Sequence, residues 1–224
     1  MKIITSHLSD KEMDQVRAIA PYVDFVSTTT LEETLREIED ANALFGHWVT
    51  PELVRRAKRL RWVQVGGVGV EGLMFPEFVN SDIVLTNARG TTGINIAEHV
   101  MALILAFTRT LHITIKRQME KVWESRANLP VIEIAGETLG IIGLGSIGLQ
   151  VAKRARAFDM RRLAVDPTQT EKPDYVESLW RLDRLHDMLR QSDFVAICCP
   201  LTPETEGMMG AAEFRVMKRT AFLI

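Results

Sequence analysis

This sequence of 224 residues has only two cysteines and few aromatic side chains, and its net charge is close to zero. The two cysteines, Cys198 and Cys199, are neighbours that point to opposite faces of a strand, so no disulfide framework is predicted. Lys and Arg number 27 against 29 Asp and Glu, without a dense basic run for nucleic acid. The most apolar stretch, residues 100–107, is too short to span a bilayer. We therefore expect a cytoplasmic globular protein with no nucleic-acid, membrane or metal partner.

Short apolar segments alternate with amphipathic helical segments along the chain. Ser9 and Glu12 form a capping box that predicts a helix start, and Thr50 before Pro51 predicts another. Residues 95–120 predict one long helix whose first half is apolar nearly all round, which is typical of a helix buried between domains or subunits. The alternation of strands and helices predicts an α/β fold with parallel sheets covered on both faces.

The most informative motif is TLGIIGLGSIG, which spans residues 138–148. Gly143, Gly145 and Gly148 form G-x-G-x-x-G directly after an apolar strand and directly before a helix, and Asp166 ends the next strand. The first glycine permits a tight turn, the second lets a pyrophosphate approach the backbone, and the third lets helix and strand pack closely. The motif predicts a Rossmann site for a dinucleotide.

Two further features of this motif bear on the coenzyme. The N–H groups at Ser146 and Ile147 have no partner within the helix, so we expect them to point at phosphates. Asp166 should accept hydrogen bonds from ribose hydroxyls and repel a 2′-phosphate, which favours NAD over NADP. Arg161 and Arg162 lie before or within the strand and weaken this preference only slightly. The alternative is a glycine-rich turn followed by a solvated Asp, which leaves the strand–turn–helix–strand order unexplained.

Several segments, in the same order, resemble the D-isomer-specific 2-hydroxyacid dehydrogenase family. They are GVGVEGL, SDIVLTNARG, IAEHVMALILAFTR, GETLGIIGLGSIG, the pair Asp166-Pro167 and CCPLTPETEGMMG, and they cover nearly the whole chain from about Trp62. The resemblance implies a flavodoxin-like substrate domain, residues 1–98, and a Rossmann NAD-binding domain, residues 99–224. It implies NAD-dependent interconversion of a D-2-hydroxy acid and a 2-keto acid, without indicating which acid.

The resemblance also implies roles for single residues. The loop at residues 66–71 would bind the substrate carboxylate through the N–H groups of Val68 and Gly69, since successive amides in a glycine-rich turn form an anion-binding nest. Without the family, a flexible surface turn would fit this loop equally well. The segment from residue 199 to 205 would lie along the coenzyme. The coenzyme-site residues that we predict are Gly143, Gly145, Ser146, Ile147, Gly148, Asp166, Pro167, Cys199, Pro200 and Thr205.

No histidine is a credible proton donor by its motif. His99 matches a family position other than the catalytic one, His112 and His186 are typical of surface residues, and His47 ends a strand where it could line a substrate cleft. The family's catalytic Arg, Glu and His correspond to positions beyond Ile224. We therefore expect a truncated chain that contains no catalytic residue and is inactive.

The resemblance leaves alternatives and implies a partner. A non-catalytic NAD-binding regulator, similar to the family's corepressors, is the second hypothesis, and a different Rossmann enzyme is a third that lacks the additional signatures. The family pairs subunits through the region of the long helix, so we expect a homodimer that uses residues 95–120.

Overall fold

The structure is a computed structural model and describes residues 1–6, 8–46, 49–123 and 125–224. The chain divides into two compact units, Met1–Arg89 and Gly90–Ile224. The domain boundary predicted between residues 98 and 99 lies inside the helix Gly93–Thr108. The structure assigns this whole helix to the second unit because it packs densely on another helix there, Ser146–Arg156.

A five-stranded parallel sheet forms the centre of the first unit, in the order β2-β1-β3-β4-β5. This is the strand order of flavodoxin-like folds. Helices follow four of the strands, as the alternation in the sequence predicts. The strands are β1 (Lys2–Ser6), β2 (Asp24–Thr28), β3 (Ala43–Phe45), β4 (Trp62–Gln64) and β5 (Val84–Thr86), and the helices are α1 (Asp10–Ile19), α2 (Leu31–Glu37), α3 (Pro51–Arg56) and α4 (Pro76–Val79).

The predicted helix starts in the first unit are confirmed. Ser9 precedes α1, where its hydroxyl accepts a hydrogen bond from the Glu12 N–H and the Glu12 carboxylate accepts one from the Ser9 N–H at 2.8 Å. The Thr50 hydroxyl caps α3 by accepting a hydrogen bond from the Leu53 N–H at 3.2 Å, with Pro51 as the first helical residue. These caps satisfy N–H groups that a helix start leaves without a partner.

The second unit has a Rossmann-type fold, in which helices pack on a parallel sheet. Its five-stranded sheet has the order β10-β9-β6-β7-β8, and buried apolar clusters lie on both faces of it. All five residues of β6 are buried at its centre. The strands are β6 (Thr138–Ile142), β7 (Arg161–Val165), β8 (Ser178–Trp180), β9 (Phe194–Ile197) and β10 (Phe222–Leu223), and the helices are α5 (Gly93–Thr108), α6 (Leu111–Met119), α7 (Ser146–Arg156), α8 (Leu185–Gln191) and α9 (Ala211–Val216).

The prediction of one helix over residues 95–120 is wrong. The structure has α5 and α6 there, bent by 67° around Thr110, whose backbone is left-handed with φ 57°. A left-handed residue reverses the helical path, and β-branched Thr108 and Thr110 have low helix propensity. No single helix in the described residues is long and apolar enough to cross a membrane, although α5 and α6 counted together reach that length and hydropathy.

The short strand β8 is absent from the sequence analysis. It pairs with β7 in parallel, with Val165 opposite Trp180. Its three residues are all half-buried, and no run of alternating or continuous apolar residues marks them. This strand matters for the site because it places the residues that follow Trp180 at the same sheet edge as Asp166.

Candidate functional site

The glycine turn after β6 is the centre of the candidate site. Gly143 has φ +90°, and a Cβ there would lie 2.7 Å from the backbone N of Cys199. Both the left-handed backbone and the close approach of the chain after β9 therefore require glycine at this position. The turn is therefore packed closely against the backbone that follows β9.

The other two glycines of the motif differ from Gly143 in what surrounds them. A Cβ at Gly148 would lie 2.1 Å from the carbonyl oxygen of Gly143, so glycine is needed for α7 to cross the turn closely. A Cβ at Gly145 would have no heavy atom within 4 Å, so the space above this residue is open. This is the arrangement that a pyrophosphate needs to reach the backbone.

The start of α7 supplies hydrogen-bond donors to that open space. Gly145 is the N-cap of α7 and provides no side-chain cap, and Ser146 and Ile147 are the first helical residues. Their N–H groups have no acceptor in the part of the chain that the structure describes. Unpaired N–H groups and the positive end of the helix dipole together form an anion site.

Asp166 lies at the carboxyl end of β7 and is 7% exposed. Its Oδ2 accepts a hydrogen bond from the N–H of Leu144 at 2.8 Å. Its Oδ1 accepts from the N–H groups of Thr168 and Gln169 at 2.8 and 2.7 Å, and from the Thr168 hydroxyl at 3.1 Å. The carboxylate thus ties the glycine turn to the turn after β7. Because Oδ1 already accepts three hydrogen bonds and Oδ2 only one, Oδ2 is the atom that can accept another from a ribose hydroxyl.

The charge state of Asp166 follows from these contacts. Burial by itself raises the pKa of the Asp166 carboxyl, but the N–H groups of Gln169, Thr168 and Leu144 outweigh it and hold that pKa below its ordinary value. Asp166 is therefore an anion at neutral pH. It fits the role of an acceptor for ribose hydroxyls, although most of its capacity is already used within the protein.

The segment after β9 borders a cavity of about 260 Å³. β9 ends at Ile197, so Cys199 and Pro200 lie in the loop that follows the strand. The Thr205 hydroxyl donates to the Pro200 carbonyl at 2.7 Å and accepts from the Thr202 N–H at 2.8 Å. Thr205 therefore shapes this loop from inside. The cavity is lined by Ile197, Cys199, Pro200, Leu201, Thr205, Gly207, Met208 and Met209.

The cysteines next to this cavity are not activated thiols. Burial raises the pKa of Cys198 to about 12, and burial also raises the pKa of Cys199. The Cys199 Sγ contacts the Met208 Sδ at 3.7 Å. Both residues therefore act as small apolar groups, Cys199 in the wall of the cavity and Cys198 towards the core.

In the first unit, the loop with Val68 and Gly69 is anchored through its carbonyl groups. The Gly67 carbonyl accepts from the Ala88 N–H at 3.0 Å, and the Val68 carbonyl accepts from the Asn87 side chain at 2.7 Å. The N–H groups of Val68 and Gly69 have no acceptor among the residues described. The loop therefore presents amides that can bind an anion.

A carboxylate lies beside this pair of amides. A Cβ at Gly69 would be 2.7 Å from the Glu71 Oε2, and the Glu71 side chain is otherwise exposed. An anionic ligand at the Val68 and Gly69 amides would therefore require the end of this side chain to turn away.

The histidines in the described residues are not assembled with the glycine turn. His186 Nε2 lies 2.9 Å from Glu213 and joins α8 to α9, and His112 contacts the ring of Phe107. His99 lies on α5 and is exposed. His7 and His47 lie outside the described residues. No group of three His, Cys, Asp or Glu side chains with metal-ligand geometry occurs in the described residues.

The structure brings residues to the site that no motif marks. The guanidinium of Arg181 donates to the carbonyl of Pro167, directly after Asp166. Gly93 at the start of α5 lies against the start of α7, where a Cβ would be 2.9 Å from the Ser146 carbonyl oxygen. Asn87 holds the Val68 loop. Each of these contacts is between residues far apart in the chain, which is why local patterns give no signal for them.

Taken together, the second unit fits an adenine dinucleotide. The open space at Gly145, the N–H groups of Ser146 and Ile147 and the ionised Asp166 are arranged as the phosphate and ribose contacts of such a ligand require. Pro167 follows Asp166, and the backbone of Cys198 and Cys199 lies against Gly143. The predicted coenzyme residues therefore gather along the carboxyl ends of β6, β7 and β9.

Comparison with known proteins agrees with this geometry. Residues 101–224 match the family model described as D-isomer specific 2-hydroxyacid dehydrogenase, NAD binding domain. The chain is 32% identical over 205 residues to a D-3-phosphoglycerate dehydrogenase from Methanocaldococcus jannaschii, which covers 90% of this chain and 39% of that protein. It is 34% identical over 204 residues to a glyoxylate reductase from Thermococcus kodakarensis, covering 86% and 60%.

A solved structure from Aeromonas salmonicida, of a D-isomer specific 2-hydroxyacid dehydrogenase family protein, is also similar. It has a TM-score of 0.86 and 27% identity, and the match covers 99% of this chain and 71% of that one. The chain spans 39% and 60% of the length of the two curated relatives above.

Proposed function

Because the chain belongs to the D-isomer-specific 2-hydroxyacid dehydrogenase family, we propose that it serves the interconversion of a D-2-hydroxy acid and a 2-keto acid. Its second unit contains the family's NAD-binding domain. We assign the first unit to the substrate, with Val68 and Gly69 as the residues that bind the carboxylate.

One observation carries the proposal most directly. The backbone at Gly145 faces open space, and the two N–H groups that follow it lack acceptors in the described residues, one strand away from an ionised carboxylate. An anion-binding helix start and a hydroxyl acceptor at that spacing suit a pyrophosphate and a ribose in one molecule.

The bound coenzyme would supply the hydride, and the chain's residues would position both reactants. Ser146 and Ile147 would donate hydrogen bonds to the pyrophosphate, and Asp166 would accept one from a ribose hydroxyl through Oδ2. In the first unit, the amides of Val68 and Gly69 would hold the acid's carboxylate, while the Val68 and Gly67 carbonyls keep the loop in place.

The proposal is tested by titrating the chain with NADH and following its fluorescence. We expect saturable binding, followed by a further change when glyoxylate, hydroxypyruvate or 3-phosphohydroxypyruvate is added to the NADH complex. The relatives' names motivate the choice of these acids. Absence of saturable NADH binding would contradict the proposal.

A turnover assay separates binding from chemistry. Reduction of a keto acid needs a proton source and charge stabilisation at its oxygen as well as the hydride. We assign neither role to a residue of this chain, so we expect it to bind NADH without oxidising it when keto acid is added. Measurable oxidation would reveal a proton donor that its motifs do not mark.

A further inference from the structure

The carboxyl ends of β7 and β8 lie side by side in the second unit. Val165 is opposite Trp180, and the Asp166 N–H donates to the Trp180 carbonyl at 3.0 Å. The next residue, Arg181, is therefore the neighbour of Asp166 across the strand ends. Its guanidinium returns to the same point, where it donates to the Pro167 carbonyl.

The carboxylate of Asp166 faces inward at this edge. It receives hydrogen bonds from three backbone N–H groups and one hydroxyl, and the residue is 7% exposed. The carboxylate keeps its negative charge, but the positive ends of these N–H and O–H dipoles surround both of its oxygens. Asp166 by itself is thus a weaker barrier to a 2′-phosphate than its place in the motif suggests.

The cation at this edge faces outward. Arg181 is exposed, and it makes no ion pair with any carboxylate among the described residues. The nearby Arg184 differs, because it pairs with Asp187 and stacks over the Trp180 ring. Arg161 lies at the amino end of β7, at the other end of the strand from Asp166, and pairs with Glu177. Arg181 is therefore the available guanidinium beside Asp166.

We propose that Arg181 binds the 2′-phosphate of an adenine dinucleotide phosphate, so that the chain holds NADPH as well as NADH. The inference rests on the proposed coenzyme site and specifies its selectivity. A guanidinium suits this role because it can donate two parallel hydrogen bonds to one phosphate. The contact with the Pro167 carbonyl uses one nitrogen and leaves the other donors of the group available.

The test uses two fragments that differ only in the 2′-phosphate, 5′-AMP and 2′,5′-ADP, titrated calorimetrically into the chain. We expect 2′,5′-ADP to bind about tenfold more tightly than 5′-AMP, the effect of one charge-assisted contact. Arg181→Gln should abolish this ratio and leave 5′-AMP affinity within about twofold, and Arg181→Lys should restore part of it. Arg190→Gln removes the same charge from an exposed site on α8 that pairs with Asp187, and should leave the ratio unchanged.

Each other result would overturn the inference. Equal or tighter binding of 5′-AMP by the unaltered chain would show that Asp166 excludes the 2′-phosphate. If Arg181→Gln lowers the affinities for 5′-AMP and 2′,5′-ADP equally, Arg181 only holds the Pro167 turn. If that variant fails to fold, the ratio of the two affinities in the unaltered chain is the test. If NADH binds normally while these results occur, the proposed function stands and only the role of Arg181 fails.

Discussion

Single residues of the glycine turn differ in what a larger side chain would meet. A Cβ at Gly143 would approach the Cys199 backbone at 2.7 Å in a left-handed conformation, whereas Gly145 has φ −81° and open space around it. We predict that Gly143→Ala lowers the free energy of unfolding by about 2–4 kcal/mol, from strain and a backbone clash. Gly145→Ala is the matched control and should be neutral or stabilise by about 0.5 kcal/mol. Denaturant unfolding of both variants checks this, and equal effects would contradict it.

Asp166 links stability to pH. The pKa of its carboxyl is lowered in the folded chain from an ordinary value of 3.8, so its contribution is complete above about pH 4 and is lost as pH falls through the lower folded value. Asp166→Asn should cost about 1–3 kcal/mol at pH 7, because an amide nitrogen must then face one of the N–H donors. The variant should also lose less stability than the unaltered chain between pH 5 and pH 2. Parallel losses in urea unfolding at both pH values would contradict this account.

The roles of the glycines could be predicted from the sequence because their spacing alone defines the strand, turn and helix around them. Arg181, Asn87 and Gly93 could not, because each acts on a residue at least 14 positions away. The motif predicts Asp166 as an acceptor for ribose hydroxyls, but it carries no signal for the three N–H groups that engage the carboxylate in the structure.

At the scale of elements, α5 and α7 form the densest helix pair of the second unit. Gly93 allows this approach, since a Cβ there would lie 2.9 Å from the Ser146 carbonyl oxygen. We predict that Gly93→Ala displaces the start of α5 from α7 and destabilises the fold by about 1–3 kcal/mol. The loss of stability is measured by thermal unfolding. Gly90→Ala is not a suitable control, because Gly90 has φ +95° and an alanine there would itself be strained.

A suitable control for Gly93→Ala is Gly145→Ala, where the added methyl meets no atom. A Gly93→Ala variant that unfolds at the same temperature as this control would show that α5 can retreat without loss. It would then follow that the α5–α7 contact does not fix the start of α7.

The pattern of elements could be predicted where apolar runs and caps coincide, as at Ser9 and Thr50. The pattern could not be predicted where the bounds of the elements depend on a short strand or on the backbone conformation of a single residue. The three residues of β8 form a strand because β7 offers a partner, and the left-handed Thr110 divides the expected helix into α5 and α6. Both outcomes depend on tertiary contacts rather than on periodicity.

At the scale of the molecule, exposed apolar side chains on α5 and α6 lead us to predict a homodimer. Phe107 near the end of α5 is 46% exposed, and Leu111, Ile115 and Met119, which recur every four residues along α6, are 45, 55 and 80% exposed. Burying them against a second copy would remove apolar surface from water. Sedimentation equilibrium should give a dimer for the chain and a monomer for Ile115→Asp.

The control for this prediction is Ile19→Asp in the first unit, an equally apolar side chain that is 82% exposed at the end of α1. This variant should remain dimeric. A monomer for the unaltered chain at every concentration, or dissociation caused equally by both substitutions, would contradict a dimer through α5 and α6.

Every functional role proposed for the second unit depends on the open space at Gly145 holding the pyrophosphate of an adenine dinucleotide. We would titrate NADH calorimetrically into the unaltered chain and into Gly145→Val, because the added side chain begins at a Cβ position that has no atom of the fold within 4 Å. We expect saturable binding by the unaltered chain, at least about tenfold weaker binding by Gly145→Val, and the same unfolding midpoint for both proteins. Equal NADH affinity in the two proteins, or none in the unaltered chain, would contradict it.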